Sequence, residues 1–513
     1  MKKLIFLVAA AMLSISALAQ DATVRIHDGG TGVQIPKEIY GQFSEHLGRC
    51  IYGGLWVGKD SSVPNIDGYR KDVYEALRDL KVPVMRWPGG CFADDYHWMD
   101  GIGPLENRAR ISNNNWGGTM EDNSFGTHEF LNLCEMLGIE PYISGNVGSG
   151  TVEEMAKWVE YMTSDTQSTM ANLRRENGRD KPWKVKYFGI GNEAWGCGGN
   201  MSAQYYSDTY KRYATYLRNY SGNRLYKIAS GASDYDYDWT EVLMKQIGTS
   251  MSGISLHYYT CMTWTGSKGA ATVFDADNYY DVLSKTLEIE PVLKRHIAIM
   301  DSYDPSNRVA LLLDEWGTWF DEEPGTVRGH LYQQNTLRDA IVAALNFNIF
   351  HKYTRRLKMA NIAQVVNVLQ AMILTNETEM VLTPTYHVFK MYNVHQDAEF
   401  LDSDVTTKSV RANRGGTVPE VSATASRKDG VLNFDLVNTD LKASKKVLVT
   451  FDDKSVSKVI AASILTSGDV HDYNNFGTTA NKVSEKDFKA YKVTKDGIEV
   501  TLPPCSIVAI AMQ

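Results

Sequence analysis

Short apolar runs alternate with longer amphipathic stretches from residue 38 to about residue 375. Each run is short enough for a buried parallel strand and ends in polar residues, whereas the stretches between them have the period of a helix with one polar face. The predicted strands end at Glu45, Gly90, Asn146, Glu193, Asp234, Tyr259, Glu315 and Gln364. This pattern predicts an α/β fold, a (β/α)8 barrel with enlarged loops.

Helical patterns separate these strands, and the clearest of them cover residues 69–80, 127–137, 152–162, 203–219 and 332–350. A doubly wound open sheet is the alternative arrangement of such units. It is disfavoured because no GxGxxG motif follows the first strand. Polar residues also end strands throughout the region rather than at one switch point, which again favours the barrel.

The pattern changes after about residue 382, where alternating or β-branched segments are separated by turn residues at short intervals. Such spacing is typical of a β-sandwich. Residues 22–27 also have a strand pattern, but no helix follows them, and we assign them to the same sandwich. The predicted organisation is therefore a barrel over residues 38–380 and a β-sandwich built from residues 20–37 and 381–513.

Residues 1–19 have the three parts of an export signal. Lys2 and Lys3 form a basic start, residues 4–15 form an apolar core, and residues 17–19 (Ala-Leu-Ala) form a small-x-small cleavage site. The core is too short to span a bilayer, which needs about 20 apolar residues. We expect a signal peptide that is removed, leaving a soluble protein in the periplasm or outside the cell.

Composition narrows the choice of partners and cofactors. The formal net charge is -8 and no long basic run is present, which argues against nucleic acid and anionic membranes as partners. The six cysteines show neither CxxC nor another metal-ligand spacing, so no metal or other cofactor is expected. Disulfide pairing among them stays open. Aromatic residues make up 11% of the chain, which suits stacking on sugar faces but is equally explained by a large core.

Two of the predicted strands deliver a glutamate at their C-terminal ends. One apolar run leads into residues 191–193 (Gly-Asn-Glu), and a second leads into residues 314–316 (Asp-Glu-Trp). Two carboxylates at one barrel mouth are what cleavage of a glycosidic bond requires, one as proton donor and one as nucleophile or base. Either glutamate could instead make a structural ion pair. Two such strands, both flanked by tryptophan, favour the catalytic interpretation.

Three further motifs accompany this pair: residues 43–46 (Phe-Ser-Glu-His), 86–90 (Arg-Trp-Pro-Gly-Gly) and 361–364 (Asn-Ile-Ala-Gln). As a set, the motifs resemble those of glycoside hydrolase family 51, and the resemblance covers essentially the whole chain after residue 19. It implies a retaining α-L-arabinofuranosidase with a jelly-roll sandwich, and a homo-oligomer. It also implies Glu193 as general acid/base, Glu315 as nucleophile, and substrate contacts from Glu45, Asn192, His257, Tyr259 and Gln364.

Some of these implied contacts have a plainer explanation. Glu45 could simply pair with Arg86, because buried acids are usually paired. His257 could be a core histidine with satisfied hydrogen bonds, and Tyr259 could orient Glu315 as well as, or instead of, touching the sugar. Asn192 could be a loop-capping amide.

Three more residues are candidates for the substrate pocket. Trp116 and Trp316 could form its walls or could be ordinary packing, and the asparagine-rich loop around Trp116 favours a substrate-facing ring. Cys91 follows the Pro-Gly-Gly motif where part of the family has asparagine. A thiol is only a weak hydrogen-bonding group, so Cys91 is a less certain substrate contact.

The leading hypothesis is release of terminal non-reducing α-L-arabinofuranosyl residues from arabinan- or arabinoxylan-type polysaccharides or oligosaccharides. An endo-β-1,4-glucanase or a xylan-active glycosidase is the alternative on the same scaffold. A closed pocket would favour the arabinofuranosidase, whereas an open cleft would favour one of these alternatives. A non-catalytic carbohydrate-binding protein belongs to another class. It would be marked by loss of one glutamate, and both are present.

Overall fold

The computed structural model describes residues 20–452, 458–477 and 482–513. The predicted export signal, residues 1–19, lies outside this part of the chain. Within it, no helix combines the length and the apolar character needed to cross a membrane.

Eight parallel strands close into a barrel, as the alternation of apolar runs and helices predicted. Each strand pairs with its neighbours in chain order, and the last pairs with the first. Below the mouth, the lumen is filled by a small apolar cluster that includes Val84, Tyr142 and Leu312. The strands are Gly41–Phe43, Val84–Trp87, Glu140–Gly145, Tyr187–Ile190, Tyr226–Ser233, Gly253–Thr260, Ala310–Thr318 and Leu357–Ala363.

The helices follow the predicted pattern, with shifts at their ends. The helix predicted over residues 332–350 begins at Leu337, because Thr336 and Asp339 form a capping box that fixes its first turn. The α-helices of the described residues are Lys71–Asp79, Thr127–Leu137, Val152–Thr163, Thr169–Glu176, Ala203–Tyr216, Tyr237–Ile247, Ala276–Leu287, Ile289–Tyr303, Leu337–Phe350 and Pro384–Tyr392. Short 3-10 helices are Lys37–Tyr40, Cys91–Asp94, Trp98–Gly101, Leu105–Asn107, His351–Tyr353 and Asn393–His395.

A two-sheet β-sandwich follows the barrel. One sheet contains, in spatial order, Ser403–Thr407, Ala22–Ile26, Lys445–Phe451, Gly497–Leu502 and Tyr491–Thr494. The other contains Glu399–Leu401, Val421–Lys428, Val431–Asn438, Ser506–Met512, Val459–Leu465 and Glu485–Asp487. The early strand Ala22–Ile26 therefore lies between two C-terminal strands. The domain boundaries at residues 38 and 381 stay a prediction.

Within the described residues, four two-stranded sheets lie in the loops. They are Asn65–Ile66 with Tyr69–Arg70, Ile111–Asn113 with Thr119–Glu121, Ile373–Thr375 with Met380–Leu382, and Ser409–Arg411 with Thr417–Pro419. The hairpin formed by Ile111–Asn113 and Thr119–Glu121 carries Trp116 in its turn. It thereby brings this tryptophan to the mouth of the barrel, where its ring contacts Glu45.

The helix Leu337–Phe350 joins barrel and sandwich. All of its residues are buried, because it packs on the barrel strand Ala310–Thr318 and on sandwich strands including Val421–Lys428. Just after it, His351 bridges the two parts, with Nε2 2.8 Å from the Tyr40 hydroxyl and Nδ1 2.9 Å from Oγ1 of Thr424. The junction is a packed interface, which keeps the barrel loops and the sandwich in one arrangement.

Candidate active site

Three glutamates lie at the C-terminal mouth of the barrel. Glu315 is part of the strand Ala310–Thr318, whereas Glu45 and Glu193 lie in the loops that follow the first and fourth barrel strands. One carboxylate oxygen of Glu193, one of Glu315 and a ring nitrogen of His257 all lie within 4.8 Å of one another. Barrel enzymes place their chemistry at this face, so the two glutamates singled out in the sequence meet where catalysis is expected.

The carboxylate of Glu315 is held by an ion pair and a hydrogen bond. Arg86 donates from Nη1 to Oε1 at 2.9 Å, and the Tyr259 hydroxyl donates to Oε2 at 2.8 Å. Burial favours the neutral acid, but the positive charges of His257 and Arg86 outweigh it and hold the pKa of Glu315 below its ordinary value. Arg86 thus binds Glu315 and does not form the ion pair with Glu45 that the sequence left open.

Glu193 has a less common backbone conformation. Its φ is +40°, in the left-handed region that non-glycine residues seldom adopt. The surrounding chain holds it there: the N–H groups of Gly196 and Gly198 donate to its carbonyl at 2.7 and 3.1 Å, and the preceding Asn192 N–H donates to the buried carboxylate of Asp94 at 3.1 Å. Such residues are concentrated at functional sites, where neighbouring contacts offset the strain.

His257 connects the two carboxylates. Its Nδ1 lies 2.8 Å from Oε1 of Glu193 and 3.4 Å from Oε2 of Glu315. Burial disfavours the charged imidazolium, but the charge of Glu315 and the hydrogen bond to Glu193 outweigh burial, and the pKa of His257 is raised. His257 therefore belongs to the cluster formed with Glu193 and Glu315 and is not an isolated core histidine.

Glu45 is hydrogen-bonded by neutral donors. Its Oε1 accepts from the Phe92 backbone N–H at 3.0 Å and from Trp116 Nε1 at 2.8 Å, and its Oε2 accepts from Gln364 Nε2 at 3.1 Å. Burial, together with the nearby negative charge of Glu315, raises the pKa of Glu45 to about 7. Near neutral pH this side chain can therefore act either as a hydrogen-bond donor or as an acceptor.

Two of the buried amide side chains expected to bind substrate each have one atom without a hydrogen-bond partner among the described residues. Asn192 accepts a hydrogen bond from Arg86 through Oδ1, but its Nδ2 has no partner among the described residues. Gln364 donates to Glu45, yet its Oε1 is equally unpaired within the same part of the chain. Buried polar groups are nearly always hydrogen-bonded, so both atoms are suited to bind hydroxyl groups of a ligand.

Cys91 is joined to Cys197 by a disulfide bond across the mouth of the barrel. The sulfurs lie 3.8 Å (Cys91) and 3.4 Å (Cys197) from Oε2 of Glu193. Both are contacts without a hydrogen bond, because a disulfide sulfur carries no proton. The sequence left the pairing open and did not point to Cys197 as a site residue. The other cysteines are buried and unpaired: Cys50, Cys134, Cys261 and Cys505.

A cavity of about 330 Å³, a size usual for small-molecule sites, lies at the mouth. Of the residues above, those that line it are Glu45, Cys91, Trp116, Glu193, Tyr259, Glu315 and Gln364, whereas His257 and Asn192 lie behind this lining. Its walls are largely aromatic: Trp116, which the sequence indicated, is joined by Trp195, Trp264 and Trp319. Trp264 stands at the rim with 54% of its surface exposed, and its ring meets that of Trp319 edge-on at 5.4 Å.

Trp316 does not reach this pocket. The pairing register shifts next to Asp314, so Asp314 and Glu315 both face the barrel interior and Trp316 faces outward. Its ring is fully buried and packs between aromatic side chains of two helices, Phe347, Phe350 and Phe389. Of the two explanations that the sequence allowed for Trp316, the structure shows ordinary packing.

Two sets of side chains bring potential metal ligands within 4.8 Å of one another in the described part of the chain. One contains Glu193, His257 and Glu315, and the other contains Cys91, Glu193 and Cys197. In the first set, Nδ1 of His257 is already hydrogen-bonded to Glu193. In the second set, the two sulfurs are bonded to each other. The donor atoms are thus engaged with one another, and we build no chemical step on a metal ion.

Three residues that hold the site were not identified as site residues from the sequence: Arg86, Asp94 and Cys197. Arg86 carried a signal, because a charged residue inside an apolar strand pattern indicates a buried, paired charge. Asp94, whose carboxylate receives the backbone N–H groups of Val147, Gly148 and Asn192, carried none.

Known proteins match this chain over nearly its whole length. The family models for the α-L-arabinofuranosidase 1 domain and the α-L-arabinofuranosidase C-terminal domain match residues 76–279 and 314–506. An intracellular exo-α-L-arabinofuranosidase from Bacteroides ovatus is 64% identical over 508 residues, 98% of each chain. The crystal structure of the GH51 arabinofuranosidase from Xanthomonas axonopodis pv. citri is 47% identical with a TM-score of 0.93, covering 96% of this chain and 99% of that one. The chain belongs to glycoside hydrolase family 51.

It is therefore an α-L-arabinofuranosidase, as the motifs implied. The α-L-arabinofuranosidase of Thermotoga maritima, solved as an arabinose complex, is similar in the same way, with 28% identity and a TM-score of 0.80 over 96% of this chain and 99% of that one. An arabinofuranosyl-containing substrate follows from this membership.

The predicted export is wrong. The Bacteroides ovatus relative, which matches this chain at 64% identity over nearly its full length, is described as intracellular. A basic start, an apolar core and a small-x-small site in residues 1–19 were the whole basis of the prediction, and those residues lie outside the described part of the chain.

Proposed function

We propose that the enzyme hydrolyses arabinofuranosides with retention of anomeric configuration, using Glu315 as nucleophile and Glu193 as general acid/base. The observation that carries this proposal is the short gap between the two carboxylates, whose oxygens approach within 4.8 Å. Retaining glycosidases hold their carboxyl groups about 5–5.5 Å apart, whereas inverting enzymes need about 6.5–9.5 Å to admit a water molecule.

The environments of the two carboxylates support the assignment of roles. Glu315 is kept ionised by Arg86 and fixed in direction by Tyr259, as a nucleophile must be. Glu193 lies in a loop nearer to solvent, with 18% of its side chain exposed, where it can exchange protons. The two carboxylates thus lie in different environments, one buried beside Arg86 and the other closer to solvent.

In the first step, Glu315 attacks the anomeric carbon while Glu193 gives its proton to the departing oxygen, and a glycosyl ester forms on Glu315. In the second step, Glu193 takes a proton from water, and the resulting hydroxyl displaces Glu315 from the anomeric carbon. Two inversions give net retention. His257, whose pKa the neighbouring Glu315 and Glu193 raise, lies with Nδ1 within 3.4 Å of both carboxylates and can donate a hydrogen bond to them.

The sugar is bound by side chains with hydrogen-bonding capacity to spare. The unpaired amide atoms of Asn192 and Gln364 are positioned for hydroxyl groups, and Glu45 can donate or accept because its pKa is about 7. His257 and Tyr259 complete this set, while Trp116 orients Glu45 and forms part of the wall. Cys91 contributes through its disulfide and not as a hydrogen-bonding thiol.

Exo action on a terminal residue is the specificity that the pocket supports. A cavity of about 330 Å³ is of the size that holds one terminal sugar unit rather than the middle of a chain. The exposed face of Trp264 and the neighbouring Trp319 offer apolar surface to the next sugar. We therefore propose terminal non-reducing arabinofuranosyl groups of arabinan- or arabinoxylan-type polysaccharides or oligosaccharides as substrates.

Azide rescue of two variants tests the roles. With Glu193→Ala, aryl arabinofuranosides that carry a good leaving group should still form the intermediate, and azide should restore turnover and give a product of retained configuration. With Glu315→Ala the intermediate cannot form, so activity should fall on every substrate and any azide product should be inverted. NMR of the azide adducts distinguishes the two outcomes.

Retained product from Glu315→Ala and inverted product from Glu193→Ala would mean that the two roles are exchanged. An inverted sugar as first product of the unaltered enzyme would exclude the two-step mechanism altogether. Glu75→Ala, at an exposed position of the helix Lys71–Asp79, is the matched control and should behave as wild type. Release of arabinose as the sole early product, with no internal cleavage to shorter oligosaccharides, tests exo action.

A further inference from the structure

The disulfide between Cys91 and Cys197 lies directly against the proposed acid/base. Cys91 begins the 3-10 helix Cys91–Asp94 that follows the second barrel strand, and Cys197 lies in the loop that follows the fourth. Both sulfurs contact the same oxygen, Oε2 of Glu193, at 3.8 and 3.4 Å. The bond thus joins two loops of the pocket at the point where protons must enter and leave.

The loop that carries Cys197 is the loop that sets the backbone of Glu193. The N–H groups of Gly196 and Gly198 donate to the Glu193 carbonyl, and a side chain on Gly198 would collide with the Asn192 carbonyl, 1.7 Å from the position of its Cβ. The loop is therefore folded tightly onto residues 192–193. A covalent tie at Cys197 restrains Glu193 itself, and not only a distant part of the loop.

The disulfide also determines what Oε2 of Glu193 can bind. Oε1 has His257 at 2.8 Å, but no N–H or O–H group in the described part of the chain donates to Oε2. A disulfide sulfur has no proton to offer, whereas a thiol is a donor, though a weak one. Opening the bond would place two S–H groups beside an oxygen that otherwise has no protein donor.

We propose that the Cys91–Cys197 disulfide is a positioning element for the acid/base Glu193, and that opening it changes the proton affinity of that carboxylate. This inference rests on the proposed role of Glu193. Hydrogen bonds to the charged form of a carboxylate favour that form. The dithiol enzyme therefore loses its acid at a lower pH than the disulfide enzyme does.

The bond is open to a small reductant from the side of Cys197, whose residue is exposed, whereas Cys91 is half-buried. A thiolate of dithiothreitol attacks Sγ of Cys197, the S–S bond breaks, and Cys91 leaves as thiolate and takes a proton. The second thiol of the reagent then releases Cys197. Two electrons pass from the dithiol to the disulfide, which yields two protein thiols and cyclic oxidised dithiothreitol.

Reduction of the disulfide does not alter the other charged groups around Glu193. These groups therefore act equally on the disulfide and the dithiol enzyme. The titratable and charged side chains that face it or line the same pocket are His257, Glu315, Tyr259, Glu45, Asp234 and Arg86. Below about pH 8 the new thiols keep their protons and act as donors and not as negative charges. Profiles are therefore compared up to that pH.

The test is the pH dependence of kcat/KM for phenyl and 4-nitrophenyl α-L-arabinofuranoside with the full chain, before and after reduction by dithiothreitol. Reduction should move the alkaline limb to lower pH by roughly 0.5 unit, the size expected for weak S–H donors. The loss of kcat/KM on the alkaline side should be greater for the phenyl than for the 4-nitrophenyl substrate, because only the poorer leaving group depends on the acid. Thiol counts under denaturing conditions should rise from four to six.

The double variant Cys91→Ala/Cys197→Ala has neither the disulfide nor the two thiols beside Glu193, and dithiothreitol should leave its profile unchanged. A thermal melt of each form shows that the comparison is made on folded protein. Superimposed profiles and equal leaving-group dependence for the disulfide and dithiol enzymes would overturn the inference and leave the bond a purely structural tie. Six free thiols in the protein as isolated, before any reductant, would also overturn it.

Glu193→Gln separates this inference from the proposed function. If that variant loses the alkaline limb while reduction of the wild type leaves it in place, only the inference on the disulfide fails. If the variant keeps both the alkaline limb of the pH profile and the wild-type dependence on the leaving group, Glu193 is not the acid. In that case the proposed function itself fails, and the inference on the disulfide fails with it.

Discussion

Glu315 and Glu193 face each other across one pocket but are held by different means. Glu315 belongs to a barrel strand, exposes 7% of its side chain and is bound by Arg86 and Tyr259. Glu193 lies in a loop, exposes 18% of its side chain, and has only His257 as a hydrogen-bonding side chain in the described part of the chain. The side of the proposed nucleophile is a strand with a buried ion pair, whereas the side of the proposed acid is a loop tied by a disulfide.

This difference follows from what the two roles require. A nucleophile must stay ionised and point at one carbon atom, so buried positive charge and a strand suit it. An acid/base must lose and regain a proton in each cycle, so access to solvent and a proton affinity near the working pH suit it better. Substitutions on the Glu315 side should therefore have larger effects than those on the Glu193 side.

The largest expected effect comes from exchanging each carboxylate for its amide. Glu315→Gln should reduce kcat/KM by at least about 10⁴-fold on both phenyl and 4-nitrophenyl arabinofuranosides, because no intermediate forms. Glu193→Gln should approach that loss only with the phenyl substrate. Steady-state kinetics on purified variants measure this. Equal losses on both substrates for Glu193→Gln would remove the distinction between the two sides.

Arg86→Met should come next, because it leaves Glu315 and Asp314 buried without their cation. Removing one partner of a buried ion pair costs about 3–5 kcal/mol of stability. The pKa of Glu315 should rise, so the acid limb of the activity profile should move to higher pH. Denaturant unfolding and pH-dependent kinetics check both effects. Arg86→Lys keeps the charge and should recover most of the stability, and equal stability of the two variants would contradict this account.

Tyr259→Phe should have a smaller effect than Arg86→Met, in the same direction. It removes one hydrogen bond to a charged carboxylate, worth about 1.5–3 kcal/mol, and so about 10- to 100-fold in kcat/KM if the bond persists in the transition state. The acid limb should again move to higher pH. Tyr258→Phe is the matched control, because the hydroxyl of Tyr258 donates to the Lys285 carbonyl and does not enter the catalytic cluster. A wild-type profile for Tyr259→Phe would show that Arg86 alone holds the nucleophile.

The smallest expected effect concerns stability and not turnover. Glu45 has a pKa of about 7 in the folded protein against 4.5 ordinarily, so between these values the folded state holds a proton that the unfolded state has lost. Its contribution to stability therefore falls as pH rises through this window. Relative to wild type, the Tm of Glu45→Gln should increase from pH 4.5 to 7 and then level off. A constant difference in Tm over that range would contradict the raised pKa. For the control Glu75→Gln, the difference in Tm from wild type should not change with pH.

Much of this site could be predicted from short stretches of sequence. Apolar runs ending in polar residues located the eight strands and the mouth of the barrel, and the motifs around Glu193 and Glu315 placed both glutamates there. The export signal was the one such local pattern that misled. It rested on residues 1–19 alone, which lie outside the described part of the chain.

The amino-acid sequence by itself determined the barrel and sandwich and the position of each candidate residue relative to a strand end, because hydrophobic periodicity is a local property. Only the tertiary structure decided which loops approach each other. It paired Cys91 with Cys197, placed Asp94 under Asn192, and turned Trp316 outward through a one-residue register shift. Such contacts join residues far apart in the chain, and their geometry depends on how the strands and helices pack together.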